Sequence, residues 1–244
     1  MSPTGARARL AFPLDYPTLE QARRGAELVR GSAGVLKVGL ELFVSEGPKS
    51  VALGRELGCD VFLDLKLHDI PETVERAVAS AAALGVRFLT IHGSGGPRML
   101  EAAARRAERE NTGLVLLAVT VLTSLDATDL ARTGVTASPG EQALRLALLA
   151  RDSGVNGLVC SVAEVARLRA ELGPKTVLVT PGIRPSGAAG ADDQKRVGSP
   201  ADAIRAGSSL LVVGRPIRDA ADPAAAAHAV LAEIAEASGE PLSA

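Results

Sequence analysis

The chain has 244 residues, 47% of them hydrophobic, with 27 Lys and Arg against 28 Asp and Glu and a formal net charge of −1. So even a balance supplies no global field for nucleic acid or an anionic membrane surface. Phe12, Tyr16, Phe43, Phe62 and Phe88 are the only aromatic residues. That is too few for a nucleic-acid binder that stacks bases on aromatic platforms, so the core must be built from Val, Leu, Ile and Ala.

At ~150 residues per domain the length allows two domains, but a single α/β barrel routinely fills about 250 residues. Short apolar runs, predicted as strands, cover 9–14, 35–38, 61–65, 87–91, 114–119, 157–160, 176–180 and 210–213. They are almost wholly apolar rather than alternating, as expected of parallel strands buried on both faces. Amphipathic segments at 18–30, 71–84, 97–109, 140–153, 162–172, 200–206 and 222–237 read as helices, several with Pro in the first turn. Eight strand–helix units of roughly 30 residues predict one (β/α)8 TIM barrel over 1–244, with flexible ends at 1–8 and 238–244.

Two segments break the rhythm: the polar stretch 122–139, and the Gly- and Pro-rich, then charged, stretch 181–199. Loops this long in a compact domain are usually functional or disordered. The second follows the seventh strand, where barrels commonly bind phosphate. Cys59 and Cys160 are lone thiols in or beside apolar runs, and nothing supports a disulfide between them. No apolar segment follows the basic residues of MSPTGARARL, and no run of 18 apolar residues occurs. Cytoplasmic localisation is therefore expected, with no membrane or nucleic-acid polymer as partner.

The densest chemistry is Asp64-Leu65-Lys66-Leu67-His68-Asp69-Ile70-Pro71, at the end of the third strand. Strand residues two apart share a face, so with Phe62 inward, Asp64 and Lys66 project into the barrel mouth and Asp69 lies on the following loop. A structural ion pair is the plain alternative. The strand-end position, with Asp15 after strand one and Lys37 within strand two, favours a functional array instead. Alternating Lys and Asp keep one another charged. They can hold an ammonium beside a carbon that becomes negative and then protonate it. With no obvious nucleophile, carbanion chemistry fits better than hydrolysis.

A second cluster suits an anion. Gly214-Arg215-Pro216 follows strand eight, and Arg184 and Gln194 belong to the loop after strand seven. Backbone N–H groups at the glycine, a bidentate arginine and an uncharged Gln donor make a phosphate ester the expected ligand. His68, His92 and His228 have no ligand-spaced partners, so metal is not expected.

These residues resemble the orotidine 5′-phosphate decarboxylase family, in its shorter bacterial form, from Ala11 to about Ile217. The most specific block is Asp64-x-Lys66-x-x-Asp69-Ile70-Pro71-x-Thr73, supported by LKVGLELF, VTVLTS, TPGIRP and DDQKRVGSPADAIRAGSSLLVVGRPI. The resemblance implies decarboxylation of orotidine 5′-monophosphate to uridine 5′-monophosphate without cofactor or metal. It casts Lys66 as the acid at C6, Asp64 beside the substrate carboxylate, and Lys37 and Asp69 as completing the network. It also implies that Asp15 and Lys37 contact the ribose and that Thr123 lies by the pyrimidine. Arg184, Gln194, Gly214 and Arg215 serve the phosphate, over which 181–199 is expected to close. Asp69, Ile70 and Thr73 are expected to reach into a second subunit's site, making a homodimer.

One departure is Pro13 in LAFPLD, where family members usually show an all-apolar run; it predicts a shortened or bulged first strand. The rival readings are a magnesium-dependent keto-sugar-acid phosphate decarboxylase or hexulose-phosphate aldolase on the same barrel, and a non-catalytic phosphate-ligand binding protein. Lys37 and the spacing from DDQKR to GRP favour the nucleotide enzyme.

Overall fold

The computed structural model describes residues 4–185 and 198–242. Eight parallel strands close into a barrel in sequence order. They are β1 Leu10–Pro13, β2 Val35–Val38, β3 Asp60–Leu67, β4 Phe88–His92, β5 Val115–Val119, β6 Gly157–Val159, β7 Val177–Thr180 and β8 Leu210–Val212. Every predicted strand is present, with ends within two residues of the apolar runs. The TIM barrel expected from the sequence is the observed fold.

Around it run α1 Leu19–Val29, α2 Leu40–Glu46, α3 Pro48–Glu56, α4 Pro71–Ala83, α5 Gly96–Glu110, α6 Ala127–Arg132, α7 Pro139–Asp152, α8 Val162–Leu172, α9 Pro200–Arg205, α10 Arg215–Arg218 and α11 Pro223–Ser238. Capping chemistry starts several of them where the sequence predicts. Thr18 accepts from the Gln21 N–H, Asp222 from the Ala225 N–H, and Ser138 and Glu141 form a reciprocal capping box.

Two segments differ from the sequence reading. The stretch 122–139 is not all loop, because Asp126 and Asp129 cap each other and start α6. Residues 40–56, given no helix from sequence, form α2 and α3, separated where Gly47 turns at φ 58° ahead of Pro48. The block LELFV, apolar but for Glu41, continues the strand pattern there and hides the helix. The ends 1–8 and 238–244 were read as flexible. Their described parts are held together: Ala6 is buried and donates to the Pro241 carbonyl, and Arg9 pairs with Glu240 at 2.5 Å.

The barrel interior explains the site. Inward residues Ala11, Val35, Phe62, Leu117, Val179, Leu210 and Val212 pack as one apolar cluster, with Phe88, Val115, Val159 and Val177 against it. Phe62 and Phe88 meet edge to face at 6.1 Å. Because side chains alternate, counting on by twos from this plug leads out to the mouth. Ala11 leads to Pro13 and Asp15, Val35 to Lys37, Phe62 to Asp64 and Lys66, and Val212 to Gly214.

Pro13 does not bulge β1. It pairs in register with Lys37, and the next N–H, of Leu14, donates to the Lys37 carbonyl at 2.8 Å. The strand is merely short. The irregularity lies in β3, whose register against β4 shifts between Leu63 and Leu67. Within that shift Lys66 takes a left-handed φ of 50°.

Candidate active site

A cavity of about 400 Å³ opens at the carboxyl ends of the strands, the end at which barrel enzymes carry their chemistry. Asp15, Lys37, Asp64, Lys66, Thr123, Arg184, Gly214 and Arg215 all line it. Gln194 and most of the expected closing loop lie outside the described residues. Asp69, Ile70 and Thr73 are exposed on this chain, and the Asp69 carboxylate accepts a hydrogen bond from the Ile70 N–H at 2.6 Å.

At one end of the cavity the four charges form a chain. Lys37 Nζ lies 3.5 Å from an oxygen of Asp15 and 3.5 Å from Asp64 Oδ2, while Lys66 Nζ donates to Asp64 Oδ1 at 2.8 Å. Lys37 thus has the carboxylate partners that its place in an apolar run demands. Asp64 has a side chain only 13% exposed. Burial alone would push its pKa up. The ammonium groups of Lys37 and Lys66, with hydrogen bonds from Lys66 and Thr90, outweigh that and hold it below the ordinary value. Asp64 is therefore an ionised carboxylate in a nearly dry setting.

Three further neighbours complete the site. Thr90, fully buried on β4, donates to Asp64 Oδ1 at 2.9 Å. His92 stacks near His68, ring centroids 5.1 Å apart, and burial followed by the charges of His68 and Lys66 lowers its pKa. Arg218 lines the cavity, donating to the Asp15 carbonyl at 3.3 Å and to both carboxylate oxygens of Asp219. The period-two count through FLTIH marks Thr90 and His92 as inward. A lone β-branched Thr in a strand reads as ordinary strand chemistry, however.

Other segments lining the same cavity suit an anion. Arg184 and Arg215 reach the cavity from the segments after β7 and β8. The Arg184 N–H donates to the Gly198 carbonyl and the Gly198 N–H to the Gly182 carbonyl, at 3.0 and 3.2 Å. The two described flanks of the long loop are thereby clasped beside the cavity. Position 214 requires glycine for a close approach, since a Cβ there would stand 2.9 Å from Pro13 Cγ. The unusual proline of β1 and the glycine after β8 thus fit one another. Among the described residues, no three His, Cys, Asp or Glu side chains converge as a metal-binding group.

The fold and site together define a class: a TIM-barrel enzyme with paired lysines and aspartates at its strand ends and an arginine-lined anion end in the same cavity. The comparisons narrow it further. The family model described as "Orotidine 5′-phosphate decarboxylase / HUMPS family" matches residues 8–230, and the chain belongs to that family. The orotidine 5′-phosphate decarboxylase of Anaeromyxobacter sp. (strain K) is 54% identical over 92% of this chain and 97% of its own. That of Chromohalobacter salexigens is 51% identical over 94% of this chain and 97% of its own. A crystal structure of orotidine 5′-phosphate decarboxylase from Lactobacillus acidophilus superposes with a TM-score of 0.80 at 35% identity, covering 93% of this chain and 99% of that one.

Proposed function

We propose that this protein decarboxylates orotidine 5′-monophosphate to uridine 5′-monophosphate and carbon dioxide, the last step of de novo pyrimidine synthesis. The observation that carries the reading is the unbroken ion-pair chain Asp15–Lys37–Asp64–Lys66 in a cavity that also holds Arg184 and Arg215. Breaking the bond from C6 to the carboxylate leaves its electron pair on C6, in an orbital with no conjugated sink. The barrier must then fall through fixed charges already in position. Lys66 supplies the positive charge beside C6 and donates its proton there, and solvent returns a proton to the resulting amine. Asp64, kept ionised between two ammonium groups, faces the departing carboxylate and orients Lys66. Asp15 and Lys37 hold the ribose hydroxyls, Thr123 meets the pyrimidine, and Arg184, Gly214 and Arg215 hold the phosphate. Binding energy from that remote phosphate offsets the repulsion between two carboxylates.

Lys37 also weighs against the magnesium-dependent sugar-phosphate reading. Its ammonium sits between Asp15 and Asp64, so both carboxylates already have a cation. We further infer a homodimer in which Asp69, Ile70 and Thr73 enter the partner's site, acting in the cytoplasm. The 65% exposure of the apolar Ile70 side chain supports that reading of the segment. The test is to add orotidine 5′-monophosphate to the purified chain in EDTA and follow the ultraviolet absorbance of the orotate ring. Sustained turnover is expected; its absence, or dependence on added magnesium, overturns the reading.

A further inference from the structure

Lys66 is the one charged member of the cluster whose backbone is strained. Its φ of 50° lies in the left-handed region that non-glycine residues rarely adopt. The shift in the β3–β4 register takes the residue out of the regular ladder. A backbone N–H removed from a ladder at a half-buried position needs another acceptor. That acceptor is Thr90 Oγ1, at 2.9 Å.

The same hydroxyl has a second task. It donates to Asp64 Oδ1 at 2.9 Å, the oxygen that also accepts from Lys66 Nζ at 2.8 Å. The three residues close a ring: the Lys66 N–H donates to the Thr90 oxygen, the Thr90 hydroxyl donates to Asp64, and the Lys66 ammonium donates to the same Asp64 oxygen. Thr90 has no exposed surface, so its hydroxyl bonds these two partners away from solvent. A hydroxyl that accepts from one neighbour and donates to another has its proton direction fixed by both.

We propose that Thr90 is the positioning residue of this site, holding the strained Lys66 backbone and the Asp64 carboxylate in register through one hydroxyl. Thr90 touches no substrate in this account and acts through Lys66 and Asp64. The kinetic arm of the test rests on the decarboxylation proposed above. Thr90→Val keeps the shape and deletes the hydroxyl. Its kcat is expected to fall by about 10- to 100-fold with KM within roughly threefold, the scale of a lost hydrogen bond to a charged group. Thr90→Ser, which keeps the hydroxyl and loses a methyl, should return kcat to within roughly threefold of wild type. Wild-type kcat in Thr90→Val, a loss carried by KM, or a Ser variant as slow as the Val variant overturns the proposal. If Thr90→Val does not fold, Thr90→Ala, which leaves no methyl against the carboxylate, takes its place.

A crystal structure of the same hydroxyl-deleted variant decides the matter without turnover, so that failure of the proposed reaction in wild type is distinguished from failure here. Lys66 should leave the left-handed region or its ammonium should separate from Asp64. An unchanged φ with the 2.8 Å contact intact overturns the proposal.

Discussion

The two ends of the cavity are built differently. Lys37, Asp64 and Lys66 stand on strands β2 and β3, and their charges are paired within 3.5 Å of one another. Arg184 follows β7 in the connecting segment beside the Ile183–Gly198 bridge, and Arg215 follows β8 as the first residue of the one-turn helix α10. Ladder hydrogen bonds and the packed interior fix a strand-borne group more tightly than a loop fixes its own. The comparison suggests a division of labour. The rigid end carries the charges that must be in place before the bond breaks, and the loop end grips a part of the substrate that does not react.

Apart from Lys66 itself, the largest effect that would sharpen this contrast is at the loop end. Arg215→Ala should raise KM by about 10- to 100-fold, the scale of lost hydrogen bonds to a phosphate, while kcat changes by less. Steady-state kinetics read the split, and a loss confined to kcat would break the division. A smaller effect is expected at Gly39, where a Cβ would stand 3.2 Å from Lys37 Nζ and 3.4 Å from Asp15 Oδ1. Gly39→Ala should push this pair apart and lower kcat/KM by roughly fivefold, equivalent to about 1 kcal/mol; wild-type kinetics would show that the rigid end tolerates displacement.

The smallest effect concerns acid. The pKa of His92 is held below the ordinary 6.5, chiefly by burial and then by His68 and Lys66. An unfolded chain therefore takes up that proton first. The stability His92 contributes is present above 6.5 and is lost as pH falls toward its folded pKa. Asp64, also lowered, adds a second loss of the same sign only below 3.8. Melting temperature should thus decline as pH falls below about 6.5, and decline less in His92→Gln. Parallel profiles for the two proteins would remove His92 from the account.

The fold was legible because buried parallel strands are nearly continuous apolar runs, and the eight runs correspond to the eight strands. What the sequence hid is local. LELFV, apolar but for Glu41, masked α2, which needs Gly39 to end the strand and Gly47 to end the helix. The charged cluster was readable because Asp64 and Lys66 stand two apart beyond Phe62, and period two carries them into the mouth. The shifted register that strains Lys66 was not readable, since it arises from pairing with β4 and no residue in DLKLHD announces it. Pro13 goes with a short β1, one of the two outcomes the sequence predicts, and not with a bulge. Its fit against Gly214 joins residues at opposite ends of the chain.

The central claim is that Lys66 does the chemistry at C6 and the loop end does the holding. It is tested most directly by kcat and KM of Lys66→Ala with orotidine 5′-monophosphate, measured beside wild type. The account predicts a kcat lower by at least about 10²-fold, the scale of a lost general acid, with substrate still saturating the variant. A variant that decarboxylates at the wild-type rate would contradict it.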